Sequence, residues 1–258
     1  MNIVTSLFKS TLGRKYVMAG SGCVLFLFVV GHMMGNLQFF LPPEAINRYA
    51  HLLQSLGEIL WGVRLFLLVM IGLHVWAAVS LTVGNREARP EPYCGEYSPF
   101  AASFASRTMF VGGLIIAVFI VYHLLHFTVK VEGINGSSIP IGQIKDPVTG
   151  HPDCYAMMVA GFSVVPVSLF YLVGVGLLSL HLSHGFQAMF QSLGLRNAAY
   201  SELIAKASKV IAVVLFLGYA SIPTSVIVFG HGKAYLQEVV NVAPAEAVES
   251  DAGKEGAK

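Results

Sequence analysis

The stretch YVMAGSGCVLFLFVVGHMMGNLQFFL, from Tyr16 to Leu41, decides the fold. It is apolar almost throughout and contains no charged residue. As an α-helix rising about 1.5 Å per residue, it is long enough to cross the roughly 30 Å hydrocarbon core of a bilayer. His32 lies inside it. The stretch therefore predicts a transmembrane helix that carries an imidazole within the membrane.

Four more apolar stretches of similar length follow, at about 61–83, 108–130, 164–192 and 207–229. Of the 258 residues, 55% are hydrophobic and only 12% are charged, about half the charge of a typical soluble domain. This composition excludes an ordinary soluble enzyme. It predicts an all-α polytopic membrane protein, with one five-helix bundle over residues 1–240 and a disordered tail over 241–258, which is rich in Ala, Glu, Gly and Lys.

The basic residues predict the orientation of the chain. More lysines and arginines fall on the inside if the N-terminus is cytoplasmic, so the positive-inside rule favours N-in and C-out. Two external connections are expected to be ordered. Residues 44–57, after Pro42 and Pro43, have the pattern of a short amphipathic helix, and residues 131–155 are long for a loop within a bundle.

Several classes of site are excluded. A formal net charge of +2 without basic clusters argues against nucleic acid as a partner. Cys23, Cys94 and Cys154 form no CxxC motif, so an iron–sulfur centre on this chain is not expected. No glycine-rich nucleotide fingerprint is present either. Any dehydrogenase chemistry must therefore lie on another subunit, and no catalytic residue is assigned here.

Histidines occur in four of the five predicted helices, and intramembrane ionisable residues are usually functional. Counting about 1.5 Å per residue from the inner face places His32 about 24 Å up and His123 about 22 Å up. The same count places His74 about 14 Å and His181 about 16 Å up. Equal depth therefore pairs His32 with His123 and His74 with His181.

Two imidazoles at equal depth inside a bundle suit an axially ligated haem, so the pattern predicts two b haems. Each ligand should donate its second ring N–H to a backbone carbonyl or a hydroxyl. Zinc would need three or four ligands at one depth. A proton relay or haem-free transporter stays open, although Glu58, at an outer edge, is the nearest acidic residue.

Further polar residues are candidate ligand contacts. His126 and His184 each follow a proposed ligand by three residues and share its helix face, so they are candidates for contact with a haem or a quinone. A quinone site should combine an apolar pocket with a few polar groups. The outer end of the first two helices offers such groups: Gln38, Glu44, Arg48, His51 and Glu58.

Five motifs carry a resemblance to a known family. They are GRK at 13–15, MAG at 18–20, GHMMGNL at 31–37, LHLSHGFQ at 180–187 and FQSLG at 190–194. Together they resemble the single-polypeptide, di-haem cytochrome b anchor of bacterial succinate dehydrogenase and fumarate reductase, and the likeness covers most of residues 9–230. Some fumarate reductases have a Glu where Ser179 stands here.

The resemblance implies a membrane subunit that binds no dicarboxylate itself. By position, His74 and His181 look like the ligands of the inner haem, and His32 and His123 like those of the outer haem. The implied partners are a flavoprotein and an iron–sulfur subunit on the cytoplasmic side of the bacterial inner membrane, with a quinone, expected to be menaquinone, as substrate. A higher oligomer is possible. A two-haem subunit of another respiratory oxidoreductase, such as nitrate reductase or a hydrogenase, is the alternative.

Overall fold

The computed structural model describes residues 3–88, 104–137 and 139–241. Within these ranges no strand forms, and Lys145 and Pro152 make an isolated antiparallel bridge. The helices are α1 (Ile3–Lys9), α2 (Thr11–Asn36), α3 (Pro43–Ser55), α4 (Glu58–Glu87), α5 (Phe104–His123), α6 (Cys154–Ser163), α7 (Val165–Ser192), α8 (Ser201–Phe229) and α9 (residues 233–241). A 3-10 turn, Leu37–Phe40, extends α2, and a π-helical segment, Leu124–Val129, extends α5.

Five of these helices are long and apolar enough to cross a membrane. The spans are Thr11–Phe40, Glu58–Glu87, Arg107–Val129, Val165–Ser192 and Ser201–Phe229. Over the described residues they are compatible with the predicted all-α membrane bundle and support a multi-pass architecture. Four of them begin earlier than the predicted apolar stretches do, because polar and charged residues extend a helix beyond the hydrocarbon region without breaking its backbone hydrogen bonds.

The amphipathic helix predicted at 44–57 forms as α3. Pro43 occupies its first turn, where the missing N–H costs nothing, and Ile46 and Asn47 face inward. Gly57 follows it with a φ of +52°, a value that favours glycine.

Three helices were not predicted from the sequence: α1, which precedes the first apolar stretch, α6 and α9. The apolar helix α6 is only 10 residues long, too short to span, and almost entirely buried. Only its first two residues belong to the predicted loop at 131–155, and the rest had no prediction. The helix α9 includes residue 241, the first residue of the predicted tail. The rest of that tail, and Cys94, lie outside the described residues.

The chain divides into two compact units. Unit 1 comprises Met1–Met33, Glu58–Val118 and Gly174–Leu217. Unit 2 comprises Met34–Gly57, Phe119–Val173 and Gly218–Lys258. His32, His74, His181 and His184 therefore belong to unit 1, whereas His123 and His126 belong to unit 2.

A buried carboxylate, Asp153, organises unit 2. It is fully buried and caps α6 by accepting a hydrogen bond from the N–H of Ala156 at 2.8 Å. It also accepts from Nδ2 of Asn47 in α3 at 3.0 Å and from the hydroxyl of Tyr235 in α9 at 2.7 Å. Burial and this bond to Asp153 raise the pKa of Tyr235 above its ordinary value. The carboxylate thus joins three helices of unit 2.

Packing in unit 2 is close enough to require glycine at one turn. Gly232 has a φ of +78°, and a Cβ there would lie 2.6 Å from Cγ2 of Val159. Phe39, fully buried, stacks on Tyr155 with ring centroids 4.9 Å apart. These contacts support α6 and, with it, the neighbourhood of His126.

Candidate functional site

His74 in α4 is held by the backbone of α2. Its Nδ1 lies 3.2 Å from the carbonyl oxygen of Met18 and 3.3 Å from Oγ of Ser21. The Ser21 hydroxyl donates its own proton to the carbonyl of Val17 at 2.7 Å, so its oxygen is free to accept. Both neighbours of Nδ1 therefore accept, and Nδ1 must carry the proton. The lone pair of His74 is left on Nε2.

His181 in α7 faces the same region of unit 1. Its ring centroid lies 6.2 Å from that of His74, with the ring planes at 64°. Two imidazoles bound to opposite sides of one metal ion need centroids a little over 6 Å apart, because each metal–nitrogen bond is about 2 Å and each centroid lies about 1 Å behind its nitrogen.

One ring nitrogen of His181 is orphaned. Its Nδ1 is buried and has no hydrogen-bond partner among the described residues. A buried polar atom without a partner costs roughly 1–3 kcal/mol. Intramembrane sites that bear such a cost are usually functional.

The space beside His181 is largely apolar. A cavity of about 180 Å³ lies beside His181, between α5 and α7. Its other lining residues are Thr108, Met109, Val111, Gly112, Ile115, Leu177 and Leu180. A Cβ at Gly113 would lie 3.5 Å from Cε1 of His181, and one at Gly22 would lie 3.1 Å from Cε1 of His74. Each imidazole thus packs directly against a helix backbone.

This arrangement fits a porphyrin iron. The described residues contain no group of three or more His, Cys, Asp or Glu side chains that could hold a metal ion. His74 and His181 would be enough to hold a haem, because the porphyrin itself supplies the other ligands of its iron. The paired rings and the apolar cavity beside His181 match that requirement. The partnerless Nδ1 of His181 differs from the expectation that each ligand donates its second ring N–H to a carbonyl or a hydroxyl.

The other proposed ligands are placed as follows. His32 is half-buried in α2 and stacks on Phe28, with ring centroids 5.2 Å apart and planes at 18°. His123 ends α5 in unit 2, where its Nδ1 lies 3.4 Å from the hydroxyl of Tyr171. His184 lies one turn after His181 on α7 and is half-buried.

His126 differs from the other intramembrane histidines. It is fully buried, and both of its ring nitrogens have partners: Nδ1 lies 3.0 Å from Oη of Tyr171, and Nε2 lies 3.4 Å from Nδ2 of Asn135. A Cβ at Gly161 would lie only 2.9 Å from its Nε2. The surroundings of His126 are therefore filled by protein atoms.

Three of the five residues considered for a quinone site share one face of α3. Glu44, Arg48 and His51 are exposed there and are spaced by four and three residues. The ring of His51 lies 4.0 Å from that of His151. Gln38 is half-buried in the 3-10 turn of the same unit, whereas Glu58 is the exposed first residue of α4 in unit 1.

Sequence reasoning missed the residues that surround the histidines. Tyr171 carried a signal, since a hydroxyl within an apolar helix needs a partner when buried. Ser21 was one of several hydroxyls that the sequence offered without distinguishing them. Asn135 carried no signal, because its contact with His126 depends on the path of the loop after α5.

No protein family, curated protein or solved structure matches the chain in comparisons of sequence and fold.

Proposed function

We propose that the chain is the membrane-anchoring cytochrome b subunit of a succinate:quinone oxidoreductase, that is, of a succinate dehydrogenase or fumarate reductase. In this role it passes electrons between an iron–sulfur subunit and a membrane quinone through two b haems. The observation that carries the proposal is the His74–His181 pair, with its 6.2 Å centroid separation and the His74 Nδ1 held by Met18 and Ser21. The motif resemblance extends the proposal to the partner subunits and to succinate.

The residues of the chain have distinct roles in this proposal. His74 and His181 hold the inner haem, and His32 and His123 hold the outer one. When bound, each haem supplies a one-electron carrier. Met18 and Ser21 keep the proton on Nδ1 of His74 and so leave its Nε2 available to a metal.

The apolar walls of the cavity exclude water from His181. A ring in such surroundings stays neutral, which is the form that can ligate a metal. Close backbone approach at Gly22 and Gly113 limits the motion of both rings. The chain thus contributes rigid, neutral imidazoles rather than acid–base chemistry.

The quinone site is proposed at the polar face of α3 and the adjacent 3-10 turn. Arg48, His51 and Gln38 can donate hydrogen bonds to quinone oxygens, and Glu44 is exposed and able to exchange protons with water. Glu58 is the second candidate for proton exchange. Menaquinone is the proposed substrate.

The proposed setting is the bacterial inner membrane, with the N-terminus cytoplasmic and the C-terminus outside. Basic residues at the cytoplasmic ends of the helices would meet the flavoprotein and iron–sulfur subunits, or anionic lipid. The soluble subunits would oxidise succinate, a reaction of the tricarboxylic acid cycle, or reduce fumarate.

The test is affinity purification of the tagged full-length chain from its native membrane, followed by subunit identification and addition of succinate. We expect a flavoprotein and an iron–sulfur protein to co-purify, and succinate to reduce b haem in the complex. Nitrate reductase or hydrogenase subunits in their place would contradict the succinate assignment and support the alternative cytochrome. A stable chain without haem would contradict the proposal as a whole and favour a transporter.

A further inference from the structure

Four side chains of unit 2 form a continuous line of hydrogen bonds. It runs from Nδ2 of Asn135 to Nε2 of His126 at 3.4 Å, from Nδ1 of His126 to Oη of Tyr171 at 3.0 Å, and from Oη of Tyr171 to Nδ1 of His123 at 3.4 Å. We call it the Asn135–His123 chain. The chain ends on His123, a proposed haem ligand. A neutral histidine has one N–H and a tyrosine has one O–H, so the direction of each hydrogen bond in the chain determines the direction of the next.

The direction is determined at Asn135. Its Oδ1 accepts a hydrogen bond from the backbone N–H of Ser137 at 3.0 Å, which leaves Nδ2 pointing at His126. Nδ2 can only donate, so Nε2 of His126 must accept and carries no proton. A neutral His126 therefore has its proton on Nδ1.

The remaining bonds follow from this proton. Nδ1–H of His126 donates to Oη of Tyr171, so the Tyr171 hydroxyl directs its own proton to Nδ1 of His123. Nδ1 of His123 accepts, and a neutral His123 then carries its proton on Nε2. This is the opposite tautomer to that of His74, whose Nδ1 faces two acceptors.

We infer that the Asn135–His123 chain is a positioning device for the outer haem ligand, with Asn135 setting its direction. The inference rests on the proposed function, in which His123 is that ligand. Ligation through Nε2 requires the proton of His123 to move to Nδ1, after which Tyr171 accepts from His123 and donates to His126. His126 Nε2 then carries a proton that faces the Asn135 amide, a donor against a donor.

The consequence is an asymmetry between the two sites. His74 is held in the ligating tautomer before any metal binds. His123 ligates only when its bond to Tyr171 and the bond from Tyr171 to His126 both reverse and the bond from Asn135 to His126 is lost. Outer-shell partners of a metal-bound histidine change metal affinity by about 10–100-fold. The outer haem is therefore expected to bind more weakly than the inner one, with Asn135 as the cause.

The test compares three single variants of the full-length chain. Asn135→Asp offers an acceptor to His126 and should tighten outer haem binding and lower the reduction potential of the outer haem. Tyr171→Phe removes the hydroxyl and should weaken outer haem binding about 10–100-fold. Tyr122→Phe is the matched control, because Tyr122 packs 6.0 Å from Tyr171 and its hydroxyl is not in the chain. The inner haem should be unchanged in all three.

A second measurement does not depend on haem. Nitrogen-15 NMR of the haem-free, histidine-labelled chain in bilayers, assigned with His123→Ala and His126→Ala, should find His126 protonated on Nδ1 and His123 on Nε2. A proton on Nδ1 of His123 would overturn the inference, as would Asn135→Asp and Tyr171→Phe both leaving the outer haem unchanged. Failure of the proposed function is distinct from either result: the wild-type chain would then bind no haem, whatever the tautomers.

Discussion

His74 and His123 are alike in the sequence, since each is paired by depth with another imidazole, but their surroundings differ. His74 points its Nδ1 at a carbonyl and at a serine oxygen whose proton is already donated. His123 points its Nδ1 at a tyrosine hydroxyl that is itself directed by a second histidine. Spacing selects both histidines as proposed ligands, whereas the partner of Nδ1 decides which tautomer each of them adopts before a metal binds.

Removing His74 tests whether the two proposed haem sites are independent. In His74→Ala the inner haem should be lost completely and the outer one kept, because only the inner site uses this imidazole. The measurement is haem per polypeptide with the reduced-minus-oxidised spectrum. His231→Ala is the control, since His231 packs against Phe39 outside both proposed sites, and it should retain both haems. Loss of both haems from stable His74→Ala protein would contradict the assignment.

The packing around His126 in unit 2 is tighter than the packing around His181 in unit 1. A Cβ at Gly161 would lie 2.9 Å from His126, whereas one at Gly113 would lie at an ordinary 3.5 Å from His181. Gly161→Ala should therefore destabilise the protein by about 1–3 kcal/mol through overpacking, and Gly113→Ala should be close to neutral. Unfolding in mixed detergent measures both. Equal stability of the two variants would show that His126 is not tightly enclosed.

Ser21→Ala tests whether Ser21 helps to hold the proton of His74 on Nδ1. The variant removes one of two acceptors for Nδ1, and the carbonyl of Met18 stays at 3.2 Å. Inner haem affinity should fall by less than about tenfold, below the loss expected for Tyr171→Phe at the outer site. Competition with a haem-binding protein measures this. A larger loss in Ser21→Ala than in Tyr171→Phe would reverse the proposed contrast.

Acid pH should weaken unit 2 slightly through Asp146. Burial alone would raise the pKa of Asp146, but hydrogen bonds from the N–H groups of Thr149 and Val148 and from Asn47 lower it below its ordinary value. A lowered pKa adds stability above the unfolded value of about 3.9, and that stability is lost as pH falls through the folded pKa. The melting-temperature gap between wild type and Asp146→Asn should therefore narrow from pH 6 to pH 3. A constant gap would contradict this role.

Much of the fold can be predicted from the sequence because the features that decide it lie within single segments of the chain. Apolar length predicts the five spans, and Pro43 with an amphipathic pattern predicts α3. The helix α6 escaped prediction because ten apolar residues satisfy neither a span nor an amphipathic period. Its burial depends on Asp153 reaching Asn47 and Tyr235, which are distant in sequence.

Part of the candidate site could likewise be predicted from the sequence and part could not. Counting the rise per residue was enough to pair His74 with His181, and their rings lie 6.2 Å apart within unit 1. The orphaned Nδ1 of His181 and the links from Asn135 to His126 depend on side-chain rotation and loop path. No residue pattern along one helix encodes these features.

Two pairs of histidines in this chain are proposed to hold two b haems. Pyridine haemochrome quantification of the purified full-length chain, together with its dithionite-reduced minus oxidised spectrum, counts these haems. We expect two b haems per polypeptide. One haem would mean that one pair is wrongly assigned, and no haem in folded protein would contradict the proposal.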